Sequence, residues 1–138
     1  MTMRPDFPVV IDPSAIIAMI SGEPEVNDFL ELCLTAETIR LSAAGYVEAA
    51  IMLDNRNPIA ASVELDRLLE LLSVSVVPVT PAQARIARQA HREYGRGSGH
   101  PARLNFGDCF SYALARDTAE PLLFKGTDFA QTDVVSAI

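Results

Sequence analysis

Four carboxylates pose the chemical question in this chain: Asp12, Glu48, Asp108 and Asp128. Glu48 is the only charged residue in the run LSAAGYVEAAIML. Helical spacing predicts that it falls among Ala44, Val47, Ile51 and Met52 on a buried stripe. An ionised glutamate there persists only if it is paired, protonated or bound to a cation. The aspartates have plainer readings one at a time. Asp12 before Pro13 suits an N-cap with proline at N1, and Asn105 before Asp108 suits an N-cap with an acid at N3. Asp128 could simply open the turn DFAQ. Brought together, however, four such acids would repel one another and raise each other's pKa values unless a divalent cation neutralised them. Oxygen donors without cysteine or histidine suit Mg²⁺ or Mn²⁺. A site of this kind can activate water and clamp the oxygens of a phosphodiester during in-line displacement.

The elements that must position these acids alternate between strand and helix. Phe7 to Ile11 is a short β-branched run, and Pro13 to Ile20 is helical until Gly22 and Pro24 break the pattern. Glu25 to Ala36 reads as a helix with Val26, Phe29, Leu30 and Cys33 or Leu34 inward. Thr38 to Leu41 is a brief strand leading into the Glu48 helix, which ends near Asn57-Pro58. Ile59 to Leu72 repeats Leu65, Leu68, Leu69 and Leu72 at helical spacing, and VSVVPV is a strand whose Pro78 marks its end or a sheet edge. Pro81 opens an arginine-bearing helix, GRGSGH is a loop, Asn105 to Thr118 is helical and PLLF is a buried strand. This alternation predicts an α/β fold with a mainly parallel sheet flanked by helices. Sites in such sheets form outside the carboxyl ends of the strands, where Asp12 and Asp128 would lie.

A length of 138 residues, 49% of them apolar, suits a single domain spanning 1–138. No apolar run approaches the roughly 20 residues that span a bilayer, and MTMRPDFPVVID lacks the layout of a signal peptide. The expectation is a soluble cytoplasmic protein with no membrane partner. Cys33 and Cys109 share no metal-binding or redox spacing and read as buried free thiols.

The net charge of −7 argues against nucleic acid on average, but the average conceals an asymmetry. Between Pro81 and Arg103 lie Arg85, Arg88, Arg92, Arg96 and Arg103 against the single acid Glu93, a local net charge of +4. Arg85, Arg88 and Arg92 share one helix face, opposite Ile86, Ala87, Ala90 and Tyr94. Such a stripe reads equally well as a solvated surface.

The segments VIDPSAIIAMISGEPE, LSAAGYVEAAIML, HPARLNFGDCFSYALA and PLLFKGTDFAQTD, in this order, resemble the signature of PIN-domain ribonucleases. In particular they resemble the VapC-type toxins of bacterial toxin–antitoxin pairs. The resemblance runs along nearly the whole chain and implies a PIN-like three-layer fold. It implies that Asp12, Glu48, Asp108 and Asp128 form the catalytic, metal-holding set for Mg²⁺ or Mn²⁺, with Ser14 and Asn105 orienting them from behind. Thr127 departs from the pattern, since relatives often carry a second acid or an amide before the last aspartate. The implied reaction is endonucleolytic hydrolysis of RNA by water, leaving a 5′-phosphate and a 3′-hydroxyl. Arg96, His100 and Arg103, just ahead of Asp108, become RNA-binding candidates, with Arg56 and Lys125 weaker ones. His100 also admits a general-acid role or a purely surface one. Implied partners are the RNA substrate, a cognate VapB-type antitoxin and a second copy of the chain. The apolar helices Val26 to Leu34 and Ile59 to Leu72 offer surface for that copy.

Two other classes compete. One is a catalytically inactive PIN-like module that binds RNA or protein. The other is a phosphate-handling receiver or phosphatase, disfavoured because Pro13 and Ser14 stand where those families place a further acid.

Overall fold

Short β-branched runs separated by pairs of helices can pair in parallel, because each helical crossover returns the chain to the same end of the sheet. The computed structural model describes residues 7–138; the first six residues of MTMRPDFPVVID, the segment expected not to be a signal peptide, lie outside the described residues. The elements are β1 (Pro8–Ile11), α1 (Pro13–Ile20), α2 (Val26–Thr35), β2 (Thr38–Ser42), α3 (Ala43–Arg56), α4 (Pro58–Leu71) and β3 (Val74–Val77). They continue with α5 (Pro81–Tyr94), α6 (Phe106–Thr118), β4 (Leu122–Leu123) and a 3₁₀ turn at Phe129–Gln131.

The strands pair in the order β3-β2-β1-β4, all parallel, with Val9 opposite Ile39, Ile39 opposite Val74 and Ile11 opposite Leu123. The parallel sheet expected from the alternation is therefore present. β3 is an edge strand and stops at Val77, which accounts for Pro78 immediately beyond it. β4 is only two residues long, and its outer side is covered by the chain end: Leu122 N–H donates to Val135 O (2.8 Å) and Ala137 N–H to Leu122 O (2.9 Å).

Side chains alternate across a strand, so the central strand β1 serves two cores. Val9 and Ile11 enter a cluster with Ile16, Phe29, Leu53, Leu65 and Leu69 from α1 to α4. Val10 enters a second cluster with Ala87, Ala90, Tyr112, Leu114 and Leu122, built around α5 and α6. The sheet is thus covered on both faces, giving three layers. Cys33 and Cys109 are buried free thiols, each with its pKa pushed up to about 11 by desolvation.

The expected orientation of α3 is wrong. Val47, Ile51 and Met52 are 52%, 54% and 39% exposed, and the helix instead buries Gly45, Ala49 and Leu53. Small residues decide this packing. A Cβ on Gly45 would lie 3.1 Å from Leu41 Cδ1 and 3.5 Å from Pro13, so the glycine sits in close contact with both and an added methyl would require Leu41 to give by a few tenths of an ångström. On a helix apolar around most of its girth, periodicity does not choose the buried stripe; close approach through glycine and alanine does. Glu48 consequently sits half-buried at the boundary between α3 and α6. In α2, Cys33 faces inward and Leu34 outward, 70% exposed.

Candidate active site

Asp12 follows the carboxyl end of β1 and is 3% exposed. Its Oδ2 accepts the Ser14 N–H at 2.9 Å, capping α1, while its own N–H donates to Leu123 O of β4 at 2.9 Å. The cap accounts for only one carboxylate oxygen. Oδ1 is buried and has no hydrogen-bond partner among the described residues. Desolvation raises the Asp12 pKa, against lowering contributions from Ser111 and Ser14. Ser111 is buried one turn beyond Asp108 on α6. It lies near enough to Asp12 to favour the ionised carboxylate, yet outside strict hydrogen-bonding geometry, so its Oγ also has no hydrogen-bond partner among the described residues.

Asp108 occupies the N3 position of α6 in a complete capping box. Asn105 Oδ1 accepts the Asp108 N–H at 2.8 Å, and Asp108 Oδ2 accepts the Asn105 N–H at 3.0 Å. The box sets the side chain's direction and leaves the second oxygen free of that contact. Desolvation, followed by the charges of Asp12 and Asp128, pushes the Asp108 carboxyl up to about 6, against the Asn105 N–H and the Arg96 charge, which lower it. Glu48 is pushed up to about 7 by desolvation and by the charges of Asp12 and Asp108. These three acids, one at the β1–α1 junction and one each on α3 and α6, therefore share one electrostatic environment, with Asp128 adding its charge at Asp108.

Asp128 is exposed and begins the 3₁₀ turn without a side-chain capping bond. The loop before it is tied to α1, since Lys125 N–H donates to Ser14 Oγ at 3.0 Å. Ser14 thereby contacts Asp12 through its N–H and the Asp128 loop through its hydroxyl. The Lys125 ammonium pairs with Glu23, and with Glu25 at 3.5 Å. Arg56 donates to Ser21 Oγ at 2.7 Å.

The glycine-rich loop is closed at its neck by Arg96 N–H to Leu104 O (3.0 Å) and Leu104 N–H to Tyr94 O (2.8 Å). Arg96 and Arg103 are exposed on either side of this neck, and Arg96 lies near enough to Asp108 to lower its pKa. His100 is folded into the loop. Its Nδ1 accepts the Ala102 N–H at 3.0 Å, and its ring meets Tyr94 edge-on at 4.8 Å. With Nδ1 an acceptor, neutral His100 carries its proton on Nε2. Arg85, Arg88 and Arg92 are exposed along α5.

Among the described residues, no three His, Cys, Asp or Glu side chains stand close enough to enclose an ion unaided. Mg²⁺ requires only one or two carboxylates because it retains several waters. The all-oxygen donor set, the orphaned Asp12 Oδ1 and the raised carboxyls of Glu48 and Asp108 fit a hard divalent cation of that kind.

Two residues that reading the sequence missed adjoin the acids: Ser111, beside Asp12, and Gly107, beside Glu48. Their signals are slight. One is a serine three residues after Asp108, and the other is a glycine inside the first turn of a capped helix, where glycine is disfavoured.

The family model for the PIN domain matches residues 9–135. Ribonuclease VapC28 of Mycobacterium tuberculosis is 49% identical over 130 residues, covering 94% of this chain and 98% of that protein. Among solved structures, M. tuberculosis VapC20, described as a sarcin–ricin-loop-cleaving toxin, superposes with a TM-score of 0.73 at 20% identity, covering 92% of this chain and 96% of that one. A toxin–antitoxin complex from Klebsiella pneumoniae gives a TM-score of 0.68 at 20% identity, covering 94% and 98%. The two structures establish likeness of fold. The family match and the near-half identity along almost the full length establish kinship, and the chain belongs to the PIN-domain family, among its VapC-type ribonucleases.

Proposed function

We propose that this chain is a metal-dependent endoribonuclease toxin, acting as one PIN domain in the cytoplasm and restrained by a cognate VapB-type antitoxin. The observation that carries the reading is the convergence of Asp12, Glu48 and Asp108 at the carboxyl edge of the sheet, where burial raises all three carboxyls and the Asp12 charge adds to the cost of ionising Glu48 and Asp108. A structural role alone would select against that arrangement, whereas binding a divalent cation reverses its energetics.

Asp12, Glu48 and Asp108 would hold Mg²⁺ or Mn²⁺, with Asp128 completing the set. When bound, such an ion polarises the scissile phosphodiester and makes water acidic enough to attack at neutral pH. Ser14 keeps Asp12 Oδ2 engaged through its N–H, which leaves the unpartnered Oδ1 as the oxygen to meet the ion. Asn105 performs the same service for Asp108. Arg96 and Arg103 flank the approach to α6 and offset the repulsion between the acids and the phosphate backbone. His100, fixed by Ala102 and Tyr94, presents its Nε2–H as a neutral donor. The products are a 5′-phosphate and a 3′-hydroxyl.

The apolar residues Val47, Ile51 and Phe106, exposed immediately around Glu48 and Gly107, support an assembled state in which a second copy or the antitoxin covers this rim. Leu34, Ile59 and Val63 support the same on α2 and α4. No helix among the described residues is long and apolar enough to cross a membrane.

The test is incubation of cellular RNA with antitoxin-free protein in Mg²⁺, Mn²⁺ or chelator, beside Asp12→Asn. Metal-dependent cuts absent from the variant, with 5′-phosphate ends, are expected. Equal inactivity of two folded proteins across RNA classes would leave the chain as a binding module.

A further inference from the structure

Gly107 occupies the N2 position of α6, between the Asn105 cap and Asp108. Its φ lies outside the left-handed region, so its backbone conformation does not call for glycine. What surrounds it does. A Cβ built at this position would overlap the whole Glu48 carboxyl group, with Cδ at 2.5 Å, Oε1 at 2.6 Å and Oε2 nearer still. The carboxyl therefore lies against the first turn of α6, in the volume that any other residue at 107 would fill. That end of a helix carries partial positive charge and favours an acid beside it.

We infer that Gly107 is a positioning residue for Glu48: its missing side chain lets the glutamate dock at the N-terminus of α6, the helix that carries Asp108. The functional consequence rests on the metal-site reading above, whereas the steric contact does not. Glu48 is the far end of a flexible side chain and can swing away from an added methyl group at little expense to the fold. Placing alanine at 107 should therefore remove Glu48 from the acidic edge while every carboxylate remains in the chain.

The experiment is a double-mutant cycle over Gly107→Ala and Glu48→Ala, with Gly107→Ala/Glu48→Asp as a rescue arm. Each protein is titrated with Mn²⁺ and, separately, melted in chelator. Gly107→Ala is expected to weaken Mn²⁺ binding by on the order of 10-fold or more, in the range seen when a residue orienting a ligand is lost. In the Glu48→Ala background the same substitution should change Mn²⁺ affinity by less than about 2-fold, since nothing is left to displace. Aspartate, shorter by one methylene, should recover part of the affinity when alanine occupies 107 and lose affinity when glycine does.

If Gly107→Ala instead lowers the melting temperature, the clash is being absorbed by the fold, and Glu48→Ala should relieve that loss. Strict additivity in both Mn²⁺ affinity and melting temperature would overturn the inference. Absence of Mn²⁺ binding by the folded wild type would count against the metal reading, and the cycle in chelator would still decide the contact.

Discussion

Glu48→Gln should change how the stability of the metal-free protein depends on pH. In the folded chain Glu48 is held at about 7 and Asp108 at about 6, against ordinary values of 4.5 and 3.8. Both folded values lie above the unfolded ones. Between them, the native state retains protons that the unfolded state has released, so stability falls as pH rises. For Glu48 the loss begins near pH 4.5 and is complete just above pH 7. An isolated displacement from 4.5 to about 7 is worth roughly 3 kcal/mol at about 1.36 kcal/mol per pH unit. Glu48 is only half-buried and its charge interacts with Asp12 and Asp108, so screening reduces the expected effect to about 1–2 kcal/mol. Glutamine has the same shape and does not titrate. The variant should match wild type within about 0.5 kcal/mol at pH 5 and exceed it by about 1–2 kcal/mol at pH 8, a rise in melting temperature of several degrees. The assay is thermal or urea unfolding in chelator from pH 4.5 to 8.5. A shallower slope from Asp108, confined to about pH 4 to 6, should persist in the variant. Adding Mg²⁺ at pH 8 should raise wild-type stability more than that of the variant and cancel much of its advantage. A constant stability difference across the pH range would refute the claim that Glu48 is held in an unfavourable acidic environment.

Other outcomes test the residues behind the acids and the approach to them. Asn105→Ala breaks the capping box and should cost about 0.5–2 kcal/mol in urea unfolding while weakening Mn²⁺ binding, because Asp108 loses its fixed direction. A stability loss without a change in Mn²⁺ affinity would limit Asn105 to the cap. Ser111→Ala should weaken Mn²⁺ binding severalfold with little change in melting temperature, since its hydroxyl lacks a partner apart from its influence on Asp12, and Ser111→Thr should restore it. Failure of threonine to restore binding would assign the effect to packing. Arg96→Ala and Arg103→Ala should each reduce the salt dependence of RNA binding by about one counterion while leaving Mn²⁺ affinity nearly unchanged. Salt slopes equal to wild type would return both arginines to the solvated surface.

The strands and most helix limits were legible along the chain because they are governed by neighbours in sequence: Pro13, Pro58 and Pro81 open helices, and Asn105 with Asp108 forms the reciprocal cap its spacing suggested. The four acids stood out because carboxylates beside apolar runs and at strand ends are chemically conspicuous. Pairing order was not legible at that level, since β1 joins β2 and β4 across crossovers whose direction emerges only when both faces of the sheet are covered. Nor was the buried side of α3. Glu48, Val47 and Ile51 occupy adjacent helix positions, and it is the burial of Gly45, Ala49 and Leu53 in the fold that turns Val47 and Ile51 outward and leaves Glu48 against Gly107. Lys125 shows the same division. Its position after β4 is plain from the sequence, but its capture by Glu23 and Glu25, about a hundred residues earlier, depends on three-dimensional proximity. Residue type and spacing declare which groups have chemistry to offer. Steric exclusion and charge between segments distant in sequence decide which of them meet.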